Sequence, residues 1–172
     1  MTGGKRGLLC PNLYRPSIYH VEPEELRAAG IKAVILDLDN TIVPWRGRTP
    51  ARELFAWLDR FREADMPICI VSNNGSERVW KFADTIRVPA IPNARKPGRK
   101  AFRQALALLG TKPSETAVIG DQLFTDVLGG NRLGLFTILV QPIDQREFIG
   151  TRLVRQVERR VLAWLRKRGW LS

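Results

Sequence analysis

Histidine occurs once in this 172-residue chain, at His20, and cysteine twice, at Cys10 and Cys69. The cysteines sit in no metal-binding or redox spacing, which excludes a disulfide framework and a Cys/His zinc site. Cys69 falls inside an apolar run and reads as a small core residue. His20 reads as a structural group rather than a catalytic imidazole. No apolar run approaches the roughly 20 residues that cross a bilayer, and the apolar stretch after Lys5 and Arg6 is too short for a signal peptide. A reducing, cytoplasmic setting is the expectation.

Acidic residues are also scarce. The chain has 17 Asp and Glu against 28 Lys and Arg, a net charge of +11. Such an excess predicts an anionic partner: a phospholipid surface, a nucleic acid or a phosphorylated substrate. It is concentrated between Arg146 and Ser172, where eight Arg and Lys face two Glu. The 44% hydrophobic and 26% charged residues are otherwise the mix of a soluble globular protein, and the length suits one domain with its own core.

Periodicity predicts strands alternating with helices. A short helix is expected from Glu22 to Gly30, then a buried strand over Ile31–Leu36. Thr49-Pro50 opens a helix whose Leu54, Leu58 and Phe61 share one face. A strand at Ile68–Val71, a helix at Glu77–Ile86 and a short strand at Ala90-Ile91 follow. The remaining elements are a helix at Gly98–Leu109, a strand at Thr116–Ile119, a short helix at Asp126–Leu133 and a strand at Leu135–Val140. This alternation predicts an α/β three-layer α/β/α sandwich of Rossmann-like type with a mainly parallel sheet. In such sheets ligands bind beyond the C-terminal strand ends, and Asp37, Ser72 and Asp121 fall at those ends.

The strongest local signal is Asp37-Leu38-Asp39-Asn40-Thr41. On a continuous strand the two carboxylates would point to opposite faces. A bend after Asp37 would let both face one cleft and turn a backbone carbonyl toward a cation. A carboxylate beside a divalent ion stays ionised and can attack phosphorus; a second carboxyl can protonate the leaving alkoxide and later deprotonate water. Alone, the pentapeptide also fits a strand ending in Asx-turn residues. Its companions favour the chemistry. Ser72-Asn73-Asn74 places a hydroxyl and backbone amides at the next strand end, suited to phosphate oxygens. Lys96 stands just before a helix, where its charge adds to the N-terminal field. Gly120-Asp121 and Asp126 add two carboxylates at a strand-to-helix junction, and such oxygen donors suit Mg²⁺.

These four motifs, in order and at strand ends, resemble those of the haloacid dehalogenase (HAD) superfamily. The resemblance implies that Asp37 is the nucleophile and Asp39 the general acid and base. It implies that Thr41 orders the loop, and that Thr41, Ser72, Asn73 and Lys96 belong to the phosphate site. Asp37, Asp39 (through its carbonyl), Asp121 and Asp126 would hold Mg²⁺. A second Asp in the first motif marks the superfamily's phosphatases, since its dehalogenases lack it. Leu8-Leu-Cys-Pro-Asn12, Ser17-Ile-Tyr19, the first motif with Trp45, and Gly120 to Arg132 resemble the YqeG family. Its relatives include mitochondrial phosphatidylglycerophosphate phosphatases. The chain then divides into an N-terminal extension (1–30), a catalytic core (31–142) and a basic amphipathic C-terminal helix (143–172).

Many members of that superfamily insert a cap domain between the first and second motifs or between the second and third. Here Asp39 to Ser72, and Ser72 to Lys96, leave room for little beyond one helix each, so the site is expected to be capless. An open site accepts phosphate carried on something large, with Trp45, Arg46 and Arg48 over the cleft. In the C-terminal helix, Leu153, Val154, Val157, Val161, Trp164 and Leu165 fill one arc and cations most of the other. That pattern fits a helix in residues 151–168 at an anionic membrane interface, or one packed on the sheet. The expected activity is Mg²⁺-dependent hydrolysis of phosphate monoesters, with phosphatidylglycerophosphate favoured and peripheral contact on the inner face of the membrane. The alternatives are a phosphatase for a soluble sugar phosphate or nucleotide, and a non-catalytic phosphate- or RNA-binding protein. The tail has no recognisable nucleic-acid module.

Overall fold

The structure is a computed structural model; it describes residues 7–45, 47–144 and 149–170, with side chains from residue 156 onward in the last stretch. Among the described residues, six strands form one sheet: β1 (Leu13–Arg15), β2 (Ala33–Leu36), β3 (Ile68–Val71), β4 (Ala90–Ile91), β5 (Thr116–Gly120) and β6 (Phe136–Val140). Their order is β1-β6-β5-β2-β3-β4, and every pairing is parallel. The helices are α1 (Pro23–Ala28), α2 (Arg52–Glu63), α3 (Ser76–Ile86), α4 (Arg99–Leu109), α5 (Leu128–Asn131) and α6 (Ile149–Lys167).

The apolar run of β2 is buried at every position because both faces of a parallel sheet are covered. The pleat divides its side chains. Val34 and Leu36 join a cluster with Trp57 and Phe61 of α2 and Phe82 of α3. Ile35 joins the opposite one, with Phe102 and Leu106 of α4. A third cluster joins Leu123, Val127 and Leu139 to Tyr14 and to Val161 and Leu162 of α6.

The connection order decides where a site can form. From β2 the chain winds outward through β3 to β4, then returns to place β5 on the other side of β2. The crevice beyond the C-terminal ends of β2 and β5 is the switch point at which such sheets bind ligands. Asp37 and Asp121 emerge there.

Two features go beyond the expectation. Within the N-terminal segment, β1 pairs with β6, Leu13 opposite Ile138, and Ile18, Val21 and Leu26 enter the main core. At three residues, β1 is too short to show an alternation. The Asn12 side chain pins it by accepting the Thr137 N–H at 2.8 Å. The helix expected over Asp126–Leu133 is a π turn, Leu123–Val127, leading into α5. Glycine is a poor helix former, but it is needed here: a Cβ at Gly130 would lie 2.5 Å from Val118 Cγ1.

Phe61 is fully buried with its ring centroid 4.2 Å from that of Trp57. Truncation by Phe61→Ala is expected to cost about 3–5 kcal/mol, read as a lower urea midpoint at unchanged slope.

Candidate active site

Asp37 continues β2, its N–H donating to Ile119 O at 2.9 Å, and the chain then folds back. Leu38 O accepts the N–H groups of Ile42 and Val43 at 3.1 and 3.3 Å, and Asn40 donates to Val43 O at 2.7 Å. Asn40 takes φ of 61°, a left-handed conformation that asparagine tolerates. The fold-back keeps Asp37 and Asp39 at one end of the sheet. Asn40 also ties this loop to the chain after β6: its O accepts from Ile143 N at 2.9 Å and its Oδ1 from Asp144 N at 3.3 Å.

Asp37, Asp121 and Asp126 each offer a carboxylate oxygen within 4.8 Å of the others, and all three are buried. Lys96 joins two of them, its ammonium donating to Asp37 Oδ1 at 2.6 Å and Asp126 Oδ1 at 2.7 Å. The Thr41 hydroxyl lies 3.3 Å from both Asp37 Oδ2 and Asp121 Oδ1. Asp126 Oδ2 accepts from Gln122 N at 3.3 Å, and glycine is required beside it. A Cβ on Gly120 would come 2.3 Å from Asp126 Cγ. Crowded, buried carboxylates with oxygen donors alone fit a hard divalent cation such as Mg²⁺.

The Asp39 carboxylate stands outside this trio. Arg78 of α3 grips it bidentately and Asn74 Nδ2 donates to it, so any share it has in a cation site would fall to its carbonyl. Arg78 also donates to Gly47 O at 3.0 Å, linking α3 to the loop over the cleft. Ser72 is buried, and its Oγ accepts from Asn74 N at 3.2 Å, leaving the hydroxyl hydrogen to donate. Asn73 spends its carboxamide on the Lys96 backbone: Oδ1 accepts from Lys96 N at 2.6 Å and Nδ2 donates to Lys96 O at 3.3 Å. Its side chain therefore braces the lysine, and the backbone amide is what it can offer an anion. Trp45 is half-buried beside the cleft, its N–H on Asn40 Oδ1 at 3.2 Å; Arg46 lies outside the described residues.

A HAD-hydrolase-like family model matches residues 93–142, which include Lys96, Asp121 and Asp126. Over 162 residues the chain is 43% identical to the probable phosphatase YqeG of Bacillus subtilis, covering 94% of each protein. The chain belongs to the YqeG family. It is a phosphatase of the HAD superfamily, so the non-catalytic alternative is set aside. It is also 30% identical over 154 residues to the mitochondrial phosphatidylglycerophosphatase GEP4 of Saccharomyces cerevisiae, spanning 79% of this chain and 82% of that one. A structure from Legionella pneumophila, described as a HAD superfamily (subfamily III A) hydrolase, shares the fold with TM-score 0.52 at 18% identity, covering 72% of this chain and 74% of the other.

Two contributors to this candidate site escaped the sequence reading, Arg78 and Glu158; Asn74 was expected for its backbone amide, and its side-chain contact with Asp39 was not. Glu158 of α6 is 2% exposed, and its Oε1 accepts from Leu123 N at 2.7 Å and Phe124 N at 3.4 Å. It thereby clamps the loop between Asp121 and Asp126. That inward glutamate also corrects the predicted wheel. The face α6 buries carries Glu158, Val161, Leu162 and Leu165, while Val157 and Trp164 are 45% and 48% exposed. The side chains of Leu153 and Val154 lie outside the described residues.

Burial pushes the Asp37 carboxyl up to about 6; Lys96 pulls against that rise and the nearby Asp126 charge adds to it. The raised value favours the protonated form in the folded state. Measured against Asp37→Asn, the cation-free protein should lose stability as pH rises from about 4 to about 6, followed by thermal unfolding across that range.

Replacing Glu158 by Leu orphans the buried Leu123 N–H and should cost about 1–3 kcal/mol in urea unfolding. Glu158→Gln, which keeps a carbonyl acceptor, should recover most of the loss.

Proposed function

We propose that this phosphatase hydrolyses phosphate monoesters with Mg²⁺ through an aspartyl phosphate on Asp37, and that phosphatidylglycerophosphate is its favoured substrate. The observation that carries the mechanism is the buried Asp37 carboxylate, bonded to Lys96 beside Asp121 and Asp126 at the sheet's switch point. Asp37, Asp121, Asp126 and the Asp39 carbonyl would hold the cation. Bound there, Mg²⁺ would neutralise charge on the transferring phosphoryl group.

Asp37 attacks phosphorus in line, and the bond from phosphorus to the alcohol oxygen breaks. Lys96 and the free hydrogen of the Ser72 hydroxyl bind phosphoryl oxygens, aided by backbone amides at Asn73 and Asn74. Asp39, protonated once substrate draws it out of the Arg78 ion pair, gives its proton to the departing alkoxide, then takes one from the water that attacks the aspartyl phosphate. That second displacement releases inorganic phosphate and regenerates Asp37. Thr41, within reach of both Asp37 and Asp121, fixes their mutual orientation.

The substrate reading has three supports. A well-covered relative in Saccharomyces cerevisiae is named a phosphatidylglycerophosphatase. Among the described residues, α2 and β3 are the regular elements between Asp39 and Ser72, and α3 and β4 those between Ser72 and Lys96, which supports an uncapped site. α6 presents exposed Val157 and Trp164, with Trp170 stacked edge-on at 5.6 Å and the Arg168 guanidinium 4.6 Å from the Trp164 ring. Aromatic and cationic groups together suit an anionic membrane interface, contacted from the cytoplasmic side. No described helix is long and apolar enough to cross a membrane.

Phosphate release from phosphatidylglycerophosphate in mixed micelles, compared with soluble sugar phosphates and nucleotides, checks both levels of the proposal. The expected result is preference for the lipid, loss of all turnover in EDTA, and recovery with Mg²⁺. Turnover confined to soluble esters would overturn the lipid assignment. In Asp37→Asn, turnover should fall at least about a thousandfold with the fold intact; retained activity would overturn the nucleophile.

A further inference from the structure

A groove of about 530 Å³ runs between α6 and the C-terminal ends of β5 and β6. One of its lining residues is Asp121, which belongs to the carboxylate trio. The groove therefore opens directly onto the reacting end of the molecule. Its volume falls among small-molecule sites, roughly 300–1,000 Å³, and far exceeds what a phosphate ion fills.

Besides the carboxylates of Asp121 and Glu158, the lining brings together apolar and cationic groups. Leu123, Leu139 and Leu162 give apolar wall, while Arg159 and Arg166 supply guanidinium groups. Arg166 is steadied against Tyr14, its Cζ 5.3 Å from the ring centroid. Among the described residues, neither arginine meets a carboxylate at ion-pair distance. Guanidinium matches phosphate oxygens in geometry as well as charge, so both suit an incoming anion. Glu158 holds α6 against the Leu123–Phe124 backbone, so both walls have a fixed separation.

We propose that this groove is the subsite for the alcohol portion of the substrate. It selects phosphomonoesters that carry a second, diester-linked phosphate followed by an apolar chain. The diester meets Arg159 and Arg166, and the first carbons beyond it lie along Leu123, Leu139 and Leu162. The inference rests on the phosphomonoesterase reading above and adds the features of the alcohol that the enzyme selects. A small ester that lacks the diester forgoes both guanidinium contacts.

The test uses the full chain and dihexanoyl phosphatidylglycerophosphate kept monomeric, so that membrane docking cannot mimic groove binding. Its kcat/KM is compared with that for glycerol 3-phosphate in wild type and in Arg159→Gln/Arg166→Gln. The expected result is a fall of at least about tenfold in the ratio of the two, carried by KM for the lipid, with little change in thermal midpoint. An unchanged ratio, or equal loss on both esters, overturns the subsite. A second arm measures glycerophosphoglycerol, which has the diester and no monoester, by calorimetric titration of Asp37→Asn protein. Binding that weakens at least about tenfold with both arginines replaced supports the groove independently of catalysis. Absent binding, or binding indifferent to the arginines, overturns it. Diester binding without any lipid hydrolysis by wild type overturns the substrate reading instead.

Discussion

Lys96 carries one positive charge into the interior, and the candidate site is assembled around it. The ammonium bonds Asp37 at the end of β2 and Asp126 in the turn after β5. Burial works against the lysine charge, but Asp126 and Asp37 outweigh it and hold its pKa above the ordinary value. A buried charge is tolerated only when its partners are in place. The site and the fold are therefore mutually conditional: the three connections that carry Asp37, Lys96 and Asp126 must pack correctly for any of these charges to be buried at acceptable cost.

Much of this was legible from sequence because it is local. A β-branched run ending in Asp37-Leu38-Asp39 signals both a buried strand and its functional end, and Gly120-Asp121 repeats the signal one strand away. The rest depends on partners distant in the chain. Nothing about Arg78 alone says that it will reach Asp39, and nothing around Glu158 says that it will turn inward among so many cations. Helical periodicity sorts residues by polarity, so it placed Trp164 and Val157 on the packed arc and left Glu158 off it. A glutamate that satisfies two backbone N–H groups reverses that sorting. β1 was missed for another reason: its pairing partner, more than its own three residues, makes it a strand.

α6 gives this small sandwich a second wall for its cleft. Substrate selectivity in an uncapped phosphatase must come from whatever flanks the strand ends. Here the flank combines the Asn40–Val43 loop, stitched to Ile143 and Asp144, with a helix clamped by one carboxylate. The two flanks differ in character, one polar and tightly hydrogen-bonded, the other apolar and cationic.

The segment between Ser72 and Lys96 is closed at its base like a purse. Ala94 N bonds Ser72 O at 2.9 Å, Asn93 N bonds Asn74 O at 2.9 Å, and the Asn73 side chain brackets the Lys96 peptide. With both ends fastened together, added length in between leaves the ammonium where it is and costs only loop entropy, about 0.6 kcal/mol per doubling. That seam is a physical reason why an architecture of this kind can acquire whole domains between its second and third motifs without losing catalytic register. This chain keeps the seam and carries only α3 and β4 above it.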